Sequence, residues 1–140
     1  MPLQTGALPW RLTDARKPEV LLVTGRRSGR WMIPKGWPMI GKSLAAAAER
    51  EAFEEAGING TVDPQPLGSI RCVKRNVFGD MEIEILVHPM AVKNELPDWP
   101  ERGERTRRWF PIKKAGEQVE SPELRDLIAI LGKRLKQLSI

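Results

Sequence analysis

The chain has 140 residues, a length that suits one domain with a sheet and a few helices around a shared core. An apolar fraction of 41% and a charged fraction of 29% are ordinary for a soluble globular protein, and no run approaches the roughly 18 apolar residues of a membrane span. The net charge of +5 favours polyanionic partners, and the single cysteine, Cys72, excludes an internal disulfide or a cysteine-based zinc site.

The opening MPLQTGALPWRL lacks the basic region and apolar run of a signal peptide, which with the lone cysteine points to a reducing, cytoplasmic setting. No repeat or linker divides the chain, so residues 1–140 are read as one domain. The first element read is a short buried strand at 19–24 (EVLLVT), too short for a helix. A turn rich in Gly and Arg follows, then a strand at 31–33 and a loop punctuated by Pro34, Gly36 and Pro38. Ser43 suits the N-cap of a helix over 44–56, and Gly57 suits its left-handed C-terminal position.

Beyond the helix the period changes to two. Ile70, Cys72 and Lys74 alternate with polar neighbours, as do Met81, Ile83, Ile85 and Val87, with a turn at Phe78-Gly79-Asp80 between them. This predicts an antiparallel hairpin. Residues 94–104 read as a polar loop and 107–110 as a strand stopped by Pro111. Ser121-Pro122-Glu123 opens a last helix, whose Leu124, Leu127, Ile128, Leu131 and Leu135 recur at helical spacing. That helix is core-packing material and is assigned no chemistry.

The informative segment is Arg50-Glu51-Ala52-Phe53-Glu54-Glu55-Ala56-Gly57-Ile58. Residues three and four apart share a helix face, so Glu51, Glu54 and Glu55 converge, while Ala45, Ala52, Phe53 and Ala56 are left to pack on a sheet. Like charges at these spacings repel by about 0.2–0.5 kcal/mol per pair, and anions near a helix C-terminus oppose its dipole. A hard divalent cation reverses both effects, and Mg²⁺ selects oxygen ligands. Taken alone, the cluster is also what a solvated acidic face with Arg50 as counter-charge looks like.

With its flanks, the segment resembles the Nudix family, whose signature runs G-x5-E-x7-R-E-U-x-E-E-x-G-U with U bulky and apolar. Gly36, Arg50, Glu51, Glu54, Glu55, Gly57 and Ile58 fall at the required spacings, with the smaller Ala52 at the first U position. The resemblance implies an α/β (α+β) fold, a Nudix-type α/β/α sandwich with a mixed sheet between helices. It implies a hydrolase that cleaves X–O–P–O–P with Mg²⁺ or Mn²⁺ and metal-activated water. Carried over residue by residue, Glu54 and Glu55 bind the metal, and Glu51 serves as a further ligand or as a base. Arg50 holds the constellation, and the Gly36 carbonyl assists the metal. One position departs: Lys42 stands where the family has its first glutamate, which suggests either a phosphate contact or a weakened module that binds polyphosphate or RNA ends without cutting them. The family often draws a further glutamate from outside the signature, for which Glu101 and Glu104 are candidates.

Gly36 to Ser43, GWPMIGKS, also satisfies the phosphate-loop pattern G-x4-G-K-[ST] of a nucleotidase. Pro38 has no N–H for a phosphate cradle, Trp37, Met39 and Ile40 are bulky, and the later strands alternate like a hairpin. Arg26, Arg27, Arg30 and Lys35 lie on the approach to the acidic helix and are expected to meet substrate phosphates, as guanidinium groups suit bidentate contacts. Two further basic clusters, Arg71/Lys74/Arg75 and Arg105/Arg107/Arg108, receive no role. His88 reads as structural and Trp31 and Trp109 as core, with Trp37 left open. Together with the abundant basic residues, WMIPKGWP resembles the family branch acting on diphosphoinositol or dinucleoside polyphosphates. The expected partner is a phosphorylated small molecule, with nucleic acid entering only as a capped or phosphorylated end and no membrane.

Overall fold

A computed structural model describes residues 1–138. Its elements in chain order are β1 (Leu3–Leu12), β2 (Pro18–Thr24), β3 (Trp31–Met32), β4 (Lys35–Gly36), α1 (Leu44–Ala56), β5 (Ile58–Val62), β6 (Gly68–Asn76), β7 (Gly79–Glu95), β8 (Arg107–Pro111), α2 (Ile112–Gln118) and α3 (Pro122–Leu138). All eight strands belong to one mixed sheet. Its spine is the parallel pair β1–β7, in register from Leu3 opposite Glu84 to Trp10 opposite Ala91. β6 and β5 pair antiparallel with successive halves of β7, and β4 and β2 pair with successive parts of β1.

Helices cover both faces, as the sandwich expectation requires. On one face α1 sets Ala48, Ala52 and Ala56 against Ala7, Leu21, Val23, Ile58 and Met90. On the other, α2 and α3 bring Ala115, Leu124, Leu127, Ile128, Leu131 and Leu135 onto Leu8, Val20, Leu22, Ile70, Ile83 and Ile85. The alanines have a physical purpose: with no long side chains between them, helix and sheet approach closely. The packing residues differ in part from the expected set, since Ala47 and Ala48 are fully buried while Phe53 is only half-buried.

Four elements appear where the sequence carried no recognised signal: β1, β5, α2 and the short β4, which falls in the expected loop at Pro34–Pro38. β1 is covered on both faces, so LQTGALPWRL has no alternation to read. Its Pro9, which cannot donate to a ladder, falls between the pairing with β4 at Thr5–Gly6 and the pairing with β2 at Trp10–Leu12. The hairpin forms as expected, but Asn76 pairs with Gly79, so the turn is Val77-Phe78, one residue earlier than read. Ser43 Oγ accepts from Ala46 N at 3.1 Å, Gly57 closes α1 at φ 65°, and Ser121 Oγ caps α3 through Leu124 N at 3.1 Å, each as expected. Among the described residues no helix is long and apolar enough to cross a membrane.

Candidate active site

The last two turns of α1 present the acidic residues beside β4, whose Lys35–Gly36 is held on β1 opposite Gly6 and Thr5. The Glu51 carboxylate lies so close to Gly36 that any side chain there would overlap it. A side chain at 36 would therefore displace the Glu51 carboxylate from this position. Glu54 accepts from Arg50 Nε at 2.9 Å, and Arg50 also lies over the Phe53 ring. Glu55 is only 7% exposed and pairs with Arg105 at 3.5 Å.

Arg105 comes from the segment between β7 and β8. It donates from Nε to Glu101 at 2.7 Å and from a terminal nitrogen to the Thr24 carbonyl at 3.1 Å, so one guanidinium joins Glu55, Glu101 and β2. Glu101 is anchored in turn, its backbone N–H reaching the Glu54 carbonyl at 3.0 Å. Of the two candidate glutamates outside the signature, Glu101 joins the cluster. Glu104 faces Arg26 at 3.7 Å instead.

These placements perturb the acids. Burial is the main cause that raises the Glu55 carboxyl to about 7, and neighbouring Glu51 and Glu101 push the same way against Arg105 and Lys35. Glu51 is raised by burial first, then by Glu54 and Glu101. Among the described residues no three acidic side chains stand preassembled as a metal cage, and arginines hold Glu54, Glu55 and Glu101. The donor set nevertheless fits a hard cation. Four carboxylates are gathered at one helix end, and two of them resist ionisation because the site concentrates negative charge away from water.

Glu55 and Arg105 form one end of a cleft of about 520 Å³, a size suited to a small-molecule ligand. Its walls carry Arg30 and Lys35 from the β2–β4 region and Arg71, Lys74 and Arg75 from β6. Lys74 also lies over the exposed Trp37, Nζ 5.1 Å from the ring centroid. The structure thus brings Lys35 and Arg30 to the cleft, with Arg30 reaching Glu120 across its rim at 3.2 Å. Arg26 stands behind, paired with Glu101 and Glu104. Arg27 and Lys42 are exposed and absent from the cleft walls. The Ser43 hydroxyl beside Lys42 is engaged as the α1 N-cap, which leaves GWPMIGKS an ordinary strand-to-helix turn.

Sequence reasoning missed the β6 basic residues and Arg105 as parts of this cleft. The usable signal for Arg105 was its i, i+4 spacing from Glu101. For β6 it was an edge strand with cations on both faces. Of the minor expectations, His88 is buried and donates from Nδ1 to the Asp63 carbonyl at 2.9 Å, a structural role. Trp31 packs edge-on against Phe110 with ring centroids 5.1 Å apart, and half-buried Trp109 packs on the α1-side core with Arg11 over its outer face. A second depression, of about 440 Å³, lies between α2 and α3, and no residue of the acidic cluster lines it.

Comparison with known proteins agrees with the geometry. The family model described as "NUDIX domain" matches residues 2–129. The chain is 32% identical over 141 aligned residues to Nudix hydrolase 18, mitochondrial, of Arabidopsis thaliana, covering 96% of this chain and 78% of the plant protein. It is 34% identical over 103 residues to diphosphoinositol polyphosphate phosphohydrolase 3-beta of Bos taurus, covering 71% and 59%. The fold matches a C. elegans Ap4A hydrolase in a binary complex with a TM-score of 0.72 at 19% identity, over 98% of this chain and 99% of the other. It also matches the NUDIX domain of Shewanella oneidensis NrtR complexed with ADP ribose, with a TM-score of 0.71 at 17% identity over 96% and 88%.

Proposed function

The chain belongs to the Nudix family, and we propose that it hydrolyses a diphosphate linkage in a highly charged substrate such as a diphosphoinositol or dinucleoside polyphosphate. The observation that carries this reading is one cleft joining the acidic end of α1, through Glu55, to basic residues from three separated segments. The bovine relative is named for diphosphoinositol polyphosphates and the nematode neighbour for Ap4A, which supports a substrate of that chemistry here.

Glu54 and Glu55 are the residues that would hold Mg²⁺ or Mn²⁺, with Glu51 as a further ligand or as the base, and the Gly36 carbonyl beside them. When bound, such an ion neutralises phosphate charge and lowers the pKa of water. This chain's own groups do the rest. Lys35 and Arg30 bind and orient the phosphates, Arg105 holds Glu55 and Glu101, and Arg50 keeps Glu54 in place through its 2.9 Å hydrogen bond. Water attacks one phosphorus, the bridging P–O bond breaks, and its electron pair leaves with the other phosphate. The water's proton is taken by a carboxylate, drawn from Glu51 and Glu101. A raised pKa suits Glu51 to that task.

Product analysis with Mg²⁺ or Mn²⁺ tests the reading, using diadenosine polyphosphates, diphosphoinositol polyphosphates and nucleoside triphosphates. We expect wild-type turnover, and a loss of roughly 10²-fold or more in Glu54→Gln, as for removal of a group that stabilises transition-state charge. Turnover indifferent to Glu54 would sink the mechanism. Tight binding without turnover on any substrate would instead support a non-catalytic module, the reading favoured by Lys42 at the first signature glutamate.

A further inference from the structure

A helix leaves its last carbonyls without internal partners, and α1 ends beneath the acidic cluster with the first of them taken by its own cap and the rest engaged from one neighbouring segment. Gly57 N–H donates to the Phe53 carbonyl at 3.0 Å. Glu101 N–H takes the Glu54 carbonyl at 3.0 Å, and the Trp99 indole N–H takes the Glu55 carbonyl at 3.2 Å. Arg107 donates to Ala56 O at 3.0 Å, to Gly57 O at 3.1 Å and to Leu96 O at 2.9 Å, while Leu96 N–H also reaches Gly57 O at 2.8 Å. The Arg107 guanidinium stacks on Trp99, its central carbon 4.0 Å from the ring centroid.

Arg107 is therefore fixed by three backbone carbonyls and an aromatic plane. It spends its charge on no carboxylate: no ion pair to it is found among the described residues. A guanidinium placed this way complements the negative end of the helix dipole as well as its free carbonyls. It sits behind Glu54 and Glu55, whose own carbonyls are held by the same segment, and it is too far back along the helix end to line the cleft. A small rotation of this last turn would move both carboxylates together.

We propose that Arg107, seated on Trp99, is a positioning residue that locks the last turn of α1 so that its carboxylates meet a divalent cation in fixed geometry. The inference rests on the reading that these carboxylates hold the cation. Supporting groups behind ligating side chains change metal affinity by roughly 10–100-fold, and Arg107 acts on the turn that carries two such side chains, through the Ala56 and Gly57 carbonyls that follow them and through Trp99, which holds the Glu55 carbonyl.

The test uses Mn²⁺ as probe, with binding followed by electron paramagnetic resonance and by the Mn²⁺ concentration giving half-maximal turnover. Arg107→Lys keeps the charge and loses the fork. Trp99→Phe keeps the stacking plane and loses the N–H to Glu55 O. Leu131→Ala, in the core on the other side of the sheet, serves as a destabilised control. We expect both test variants to weaken Mn²⁺ binding, roughly 10-fold for Arg107→Lys, and to speed amide exchange at 53–57. The control should lose thermal stability with Mn²⁺ affinity unchanged. Wild-type Mn²⁺ affinity in both folded variants would overturn the inference. Should Arg107→Lys not fold, Trp99→Phe decides alone. A wild type that binds no Mn²⁺ would overturn the metal reading itself, and the inference with it.

Discussion

Glu55 is the residue where folding and function pull in opposite directions. Its carboxyl is 7% exposed, and burial outweighs Arg105 and Lys35 to raise its pKa from 4.5 to about 7. The folded state therefore keeps a proton that the unfolded state releases, so this group's contribution to stability is full below pH 4.5 and is lost as pH rises toward 7. Glu55→Gln removes the titration while preserving shape and an acceptor for Arg105. In metal-free buffer the variant should be more stable than wild type at about pH 8, by about 1–3 kcal/mol, and little different near pH 4.5. Urea denaturation at the two pH values measures this, and an advantage that does not grow with pH would refute it. The three signature glutamates were legible because i, i+3, i+4 spacing places them on one face. That Glu55 alone would be buried was not, since it depends on Arg105 arriving from a distant part of the chain.

At the scale of the element, α1 was legible almost to the residue. Ser43 and Gly57 are the cap types that end helices for stereochemical reasons, and both act as read. Gly57 has a second reason that no sequence rule contains. Its φ is 65°, and a side chain there would run into the Trp99 indole. Gly57→Ala should therefore cost more than the roughly 1–2 kcal/mol of a left-handed non-glycine residue, about 3 kcal/mol in all, and should quench or shift Trp99 fluorescence as the ring is displaced. A loss limited to the backbone cost, with unchanged fluorescence, would show that Trp99 yields without strain. β1 and α2 were illegible for the opposite reason. β1 is buried on both faces and α2 is 7 residues long, so neither displays a period to be read.

For the whole molecule, the net charge of +5 says less than its distribution. Arg26 is paired with Glu101 and Glu104, and Arg11 with Glu19, while Arg30, Lys35, Arg71, Lys74, Arg75 and Arg105 share one cleft, where Arg30 pairs with Glu120, Arg75 with Asp80 and Arg105 with Glu55 and Glu101. The three basic clusters stood in the sequence, but the convergence of the first two with Arg105 is a product of sheet topology: β8 pairs with β2, and β6 is brought to the same sheet through β7, which runs parallel beside β1. A cleft in which cations outnumber acids focuses its field outward and steers anions, an effect that salt screens over about 10 Å at 0.1 M. Raising NaCl from about 50 to about 300 mM should therefore raise KM for a diphosphoinositol polyphosphate by roughly 3–10-fold, with kcat nearly constant. ADP-ribose, with two phosphates, should lose much less over the same range. Equal salt slopes for the two substrates would mean that only the scissile diphosphate is held, and that the β6 wall is surface charge rather than a selector of substrate.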